Sequence, residues 1–124
     1  MLLAAANNPV LILRNNTLIE IKPDKNPIGK YEETGYDYTE HSFTLEPNDI
    51  VYTLTDGYAD QFGGTTSEYS SGKKFKYKRL KELLLKNSGS PLEKQRHALE
   101  DTLKKWKGDL EQLDDILIIG IKIS

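Results

Sequence analysis

Apolar residues fall in short β-branched runs over the first half of the chain and recur at helical spacing over much of the second. Val10-Leu-Ile-Leu13 and Thr17-Leu-Ile-Glu-Ile21 flank Asn15-Asn16. Asparagine tolerates positive φ, so the three pieces predict a two-strand hairpin turning at Asn15-Asn16. Lys22 to Tyr38 is rich in Pro, Gly, Asp and Lys and reads as a loop. His41-Ser-Phe-Thr-Leu45 alternates polar and apolar residues, the period of a half-buried strand. Glu46-Pro-Asn-Asp49 predicts a turn, and Ile50-Val-Tyr-Thr-Leu54 a strand ending at Thr55-Asp56-Gly57.

Gly63 to Lys74 is dominated by Gly, Ser and Thr and is expected to be a mobile surface loop. Helical spacing follows. Phe75, Leu80, Leu83 and Leu84 share one face of a helix ending near Asn87-Ser88-Gly89. Ser90-Pro91-Leu92-Glu93 predicts a second helix start, with serine as cap and Glu93 closing a capping box. Leu92, Leu99, Leu103 and Trp106 form its core stripe, and Gly108 its stop. After Asp114-Asp115, the run Ile116 to Ile121 reads as a buried strand. Strands, two helices and a last strand make the class α+β, with antiparallel β-sheets and flanking helices.

At 124 residues the chain is a length for one domain. With 37% hydrophobic and 29% charged residues it is expected to fold rather than stay disordered. The net charge of −2 gives no basic footprint for nucleic acid. The basic stretch Lys73 to Arg79, with its interleaved aromatics, reads as solvated surface. Met1 to Ala6 and Ile116 to Ile119 are the longest apolar runs, far short of the roughly 18 residues of a membrane span. Without an export signal, the cytoplasm is the expected compartment. The absence of cysteine removes disulfides, thiolate zinc sites and cysteine nucleophiles. His41 and His97 have no carboxylate placed locally to orient them and read as surface residues.

Candidate chemistry sits at two strand ends. Asp56 follows one strand and Asp114 precedes another. If those strands are antiparallel neighbours, both carboxylates reach the same rim of the sheet. Oxygen donors without His or Cys suit hard cations such as magnesium or manganese. Gly57 removes a side chain beside Asp56 and permits close approach of a ligand. Two plainer readings stand beside this one. Asp-Gly is a common turn signal, and Asp114-Asp115 is also ordinary solvated charge before a strand.

Thr55-Asp56-Gly57-Tyr58-Ala59-Asp60 and Asp114-Asp115-Ile116 resemble the last two acidic motifs of the metal-dependent serine/threonine protein phosphatases. Within that group they are most similar to the bacterial sporulation stage II E and sigma-factor-regulator branch. Ala5-Ala6-Asn7-Asn8-Pro9, Asn26-Pro27-Ile28-Gly29, Phe43-Thr-Leu45 with Pro47-Asn-Asp49, and Trp106 resemble further segments of that branch, in the same order.

The resemblance implies part of a four-layer αββα sandwich with a binuclear Mn2+ or Mg2+ centre. Water activated by the two ions attacks phosphorus directly, without a phosphoenzyme. Asp56 and Asp114 are implied metal ligands, with Gly57 and Asp115 beside the metal. The implied substrate is a phosphoserine or phosphothreonine of a regulatory protein, such as an anti-sigma-factor antagonist.

Leu117 stands where the final motif often has a hydroxyl residue. The family's first aspartate and upstream Asp-Gly motif have no counterpart before Asn7. Residues 1–124 are therefore expected to be the C-terminal portion of the domain, inactive alone and weak in metal binding. Exposed strands would then favour a homo-oligomer. The other reading is a non-catalytic interaction or scaffold module with a phosphatase-like outline.

Overall fold

The computed structural model describes residues 2–4, 8–22, 40–68 and 70–124. The motif segments at Ala5-Ala6-Asn7 and Asn26 to Gly29, and most of the expected loop from Lys22 to Tyr38, lie outside the described residues. So does the side chain of His41. The chain divides into two compact units, Met1–Leu54 with Ile119–Ser124, and Thr55–Ile118.

The first unit is built on strands. β1 (Leu2–Ala4) pairs antiparallel with β4 (Glu40–Ser42). β2 (Val10–Arg14), β3 (Thr17–Ile21), β5 (Ile50–Leu54) and β8 (Ile118–Lys122) form a four-stranded sheet in the order β3-β2-β5-β8. Asn15 and Asn16 have φ of 48° and 62°, the pair of left-handed residues that a tight hairpin turn requires. They set the register Val10↔Ile21, Ile12↔Ile19 and Arg14↔Thr17. On the other side β2 pairs antiparallel with β5, Val10 opposite Thr53 and Ile12 opposite Val51.

That register puts Val10, Ile12, Ile21 and Val51 in one buried cluster, with Ile19, Phe43 and Leu45 against it. Leu11, Leu13 and Tyr52, at the alternate positions, are buried too. Each fully buried aliphatic side chain of this kind contributes about 1.5–3 kcal/mol. The expected strand over His41–Leu45 is shorter than predicted, since β4 ends at Ser42.

Arg14 at the end of β2 secures the turn before β5. Its Nε and Nη2 donate to the two carboxylate oxygens of Asp49 at 3.0 and 2.7 Å. Nη2 also donates to the Thr44 carbonyl at 2.9 Å, and the guanidinium lies over the Phe43 ring. The Glu46 amide donates to Asp49 Oδ2 at 2.8 Å. Asp49 is buried at 2% exposure and fully partnered, which a buried carboxylate must be. Its pKa lies below the ordinary carboxylate value, held there first by the hydrogen bond from Arg14.

The final strand is corrected. β8 is an edge strand, with Ile119 and Ile121 45% and 55% exposed while Ile118 and Gly120 are half-buried. One of its faces is apolar and wet. An apolar β-branched run marks a strand but does not say whether a neighbour covers it.

The second unit contains α1 (Gly57–Asp60), β6 (Phe62–Gly63), β7 (Lys73–Lys74), α2 (Tyr77–Lys86) and α3 (Leu92–Lys107). β6 and β7 pair antiparallel and close the expected surface loop at its base. Residues 65–68, 70 and 71 between them are exposed.

Tyr58, Phe75, Leu80 and Leu84 are buried here. Phe75 meets Tyr58 and Trp106 edge-on, with ring centroids 5.3 and 5.4 Å apart. Trp106 donates its indole N–H to the Gln61 carbonyl at 3.0 Å, and its own carbonyl accepts the Gly64 amide at 2.9 Å. Gly63 and Gly64 leave the room that the indole fills, since a Cβ on either would collide with Trp106. Tyr58 reaches α3 and donates to the Leu99 carbonyl at 2.7 Å, and burial pushes its phenol well above the ordinary pKa.

Two helix details differ from expectation. Phe75 packs as predicted but precedes α2 rather than lying on it. Ser90 does not cap α3: Pro91 is the N-cap, with no side-chain cap bond. Serine therefore stands one residue too early for its hydroxyl to meet the second or third helical N–H. Gln95, buried in the first turn, instead donates to the Ser90 carbonyl at 2.9 Å. The Leu92, Leu99, Leu103 and Trp106 stripe is half-buried rather than core. Gly108 does end α3, with φ of 53° and its N–H on the Lys104 carbonyl at 3.0 Å. Among the described residues no helix is long and apolar enough to cross a membrane.

Candidate metal centre

Thr55 joins the two acidic segments. Its amide donates to the Leu117 carbonyl at 3.0 Å, and its hydroxyl donates to the Asp115 carbonyl at 3.1 Å. The same hydroxyl accepts the Leu117 amide at 3.0 Å. Three hydrogen bonds thus fix the residues around Asp56 against those that follow Asp114. The segment after β5 thus meets the segment before β8, which starts at Ile118 rather than at the expected Ile116.

Asp56 is half-buried at the start of α1, where its carbonyl accepts the Asp60 amide at 2.9 Å. Its Oδ1 accepts a hydrogen bond from the Tyr77 hydroxyl at 2.7 Å. Gly57 is buried against the Asp115 carbonyl. The space left by its missing side chain is therefore taken by this backbone, which corrects the expectation that it is kept for a ligand.

Asp114 and Asp115 are exposed. Asp114 Oδ1 accepts the Asp115 amide at 2.8 Å, which orients the carboxylate, and its carbonyl accepts from Gln112 Nε2 at 3.0 Å. Gly57, Asp60, Gln61, Phe62, Lys74, Leu113 and Asp114 line a cavity of about 230 Å³. Lys74 pairs with Asp60 beside it at 3.5 Å. His97 is exposed on α3 as expected, but the expectation that no carboxylate stands near it is corrected by Glu93 at 3.6 Å and Glu100 at 4.0 Å.

Among the described residues no group of three or more His, Cys, Asp or Glu side chains is placed to hold a metal ion. The donors on hand are the carboxylates of Asp56 and Asp114, hard oxygen ligands of the kind magnesium and manganese take. As donors they suit such an ion by chemistry, and two carboxylates alone leave most of its positions to other ligands. Lys74 and Tyr77 fall in the stretch Lys73 to Arg79 expected to be solvated surface, which is corrected here, since Tyr77 is half-buried on Asp56 and Lys74 pairs with Asp60; the Thr55 clamp is not among the expected site residues. Threonine beside Asp-Gly is a visible signal for the clamp. Tyr77 reaches Asp56 through a backbone turn that no periodicity announces.

The model of the family described as Stage II sporulation protein E (SpoIIE) matches residues 2–124. Among solved structures, the SiaA-PP2C domain of Pseudomonas aeruginosa is similar at a TM-score of 0.85 and 28% identity. That match covers 99% of this chain and 46% of the other. Two structures of the phosphatase domain of the cell fate determinant SpoIIE from Bacillus subtilis, one of them Mn presoaked, share the fold at TM-scores of 0.58 and 0.57. Their identities are 11% and 16%; the matches cover 93% and 95% of this chain and 46% and 49% of theirs. A comparison with curated proteins gives no match. The chain spans about half the length of these solved relatives. The family match over residues 2–124, with the α+β fold shared with these phosphatase domains, makes this chain a member of the Stage II sporulation protein E family.

Proposed function

We propose that this chain supplies the last two acidic ligands of a metal-dependent protein phosphatase centre, Asp56 and Asp114. The observation that carries the reading is the Thr55 clamp, which holds the Asp56 turn against residues 115 to 117. Because the chain spans about half of its solved relatives, the activity belongs to the complete domain. When bound, two Mn2+ or Mg2+ ions polarise a phosphoryl oxygen and acidify water for direct attack on phosphorus.

This chain's residues do the holding. Asp56 and Asp114 bind the cation, Gly57 lets the Asp115 backbone approach, and the Asp115 amide orients Asp114. The proposed substrate is a phosphoserine or phosphothreonine of a bacterial signalling protein, with an anti-sigma-factor antagonist as the family-type partner.

Phosphate release from a phosphoserine peptide by the complete domain tests the reading. It is expected to require Mn2+ and to fall at least about 100-fold in Asp56→Asn and in Asp114→Asn, beyond what most outer-shell changes cost. Release indifferent to both substitutions would overturn the assignment. A complete domain with no release at all would leave the scaffold reading in its place.

A further inference from the structure

We infer that Tyr77 is a positioning residue for Asp56, fixing the carboxylate so that its remaining lone pairs face a bound divalent cation. The inference rests on the proposal that Asp56 is a metal ligand. Tyr77 opens α2 and is half-buried, and its hydroxyl donates to Asp56 Oδ1 at 2.7 Å across 21 residues of sequence. A phenol on a carboxylate at this distance makes a charge-assisted bond, stronger than a neutral pair. A carboxylate offers about four lone-pair sites, so one such bond orients the group and leaves Oδ2 for a metal.

The backbone leading to Tyr77 is an independent observation. Lys76 has φ of 76° and ψ of 152°, a region nearly closed to residues with a side chain. Main-chain bonds to residues 59 and 61 hold it there. The Lys76 amide donates to the Ala59 carbonyl at 2.7 Å, and the Phe75 amide to the Gln61 carbonyl at 3.0 Å. Phe75 itself is locked between Tyr58 and Trp106. Two main-chain bonds and an aromatic cluster therefore impose the turn that delivers Tyr77 to Asp56. Strain of this kind persists where the surroundings over-determine it, and it collects at functional sites. Hydrogen-bonded partners of ligating groups typically change metal affinity by about 10–100-fold when removed.

Mn2+ titration of the full chain, read by paramagnetic broadening of the Gly57 and Asp115 amide signals, separates the possibilities. Broadening is expected in the wild type and lost in Asp56→Asn. In Tyr77→Phe, which keeps the ring and removes only the hydroxyl, half-saturation should move about tenfold higher. An Asp56→Asn chain that broadens like wild type overturns the metal assignment itself. Loss in Asp56→Asn with an unshifted Tyr77→Phe overturns the role of Tyr77 alone. If Tyr77→Phe does not fold, Mg2+ titration of wild type decides: the Tyr77 Cζ shift should move with the same midpoint as Asp56 Cγ. A stationary Cζ overturns the role.

Discussion

A β-carbon built on Gly57 would stand 2.8 Å from the Asp115 carbonyl carbon and closer still to its oxygen. Two acidic motifs 58 residues apart in sequence are thus in backbone contact, and the smallest residue makes the contact possible. Helix propensity alone says that Gly57→Ala in α1 should stabilise by about 1 kcal/mol. The collision with backbone says the opposite, at about 1–3 kcal/mol. Backbone yields less readily than a side-chain tip, so net destabilisation of roughly 1–2 kcal/mol is expected in a chemical denaturation curve. A more stable Gly57→Ala would show that the two segments are looser than described.

Lys76 offers the reverse case. Its φ of 76° with ψ of 152° suits glycine and strains lysine. Lys76→Gly should therefore stabilise the fold by about 1 kcal/mol, the strain relieved less the added freedom of the unfolded chain. An upward shift of the denaturation midpoint without a change in slope is the expected reading.

Asp49 sets a pH dependence. Its folded pKa is depressed, chiefly by Arg14, so its contribution is fully present above the unfolded carboxylate value near about 3.9. That contribution fades as pH falls through the lower folded value. Wild-type melting temperature should drop across this acid range, and Asp49→Asn should melt lower at neutral pH with a flatter acid profile. Parallel acid profiles for the two proteins would refute the role given to Asp49.

The hairpin at Asn15-Asn16 was legible because its chemistry is local: both residues take the positive φ that asparagine tolerates. The approach of the Asp56 turn to residues 115 to 117 was legible as topology, because each acidic motif is written beside an apolar β-branched run, although β8 itself starts only at Ile118. The cap of α3 lies one position later than the sequence predicts, since Pro91 supplies the extended N-cap conformation expected of Ser90. The exposure of Ile119 and Ile121 was hidden, because an apolar run looks the same in a covered strand and at an edge. Tyr77 was hidden for another reason. Its contact depends on a left-handed lysine held by two distant carbonyls, and no spacing rule encodes that.

The edge strand β8 carries the prediction on assembly. Among the described residues β8 ends its sheet with Ile119 and Ile121 exposed, an apolar strand edge of the kind that recruits another chain. Sedimentation at low micromolar concentration should show self-association, abolished by the paired change Ile119→Lys and Ile121→Lys. A wild-type chain that sediments as a clean monomer would show that this edge does not pair.

Asp56 and Asp114 are proposed to serve one cation. Two carboxylates leave most of the roughly six positions around Mn2+ or Mg2+ to water, so a concentrated soak is needed to fill the site. Anomalous scattering from crystals soaked in manganese measures it directly. A peak is expected within about 2.0–2.6 Å of a carboxylate oxygen from each residue, the range of hard-cation bonds to oxygen. Manganese bound elsewhere, or held by one of the two carboxylates with the other turned away, would contradict it.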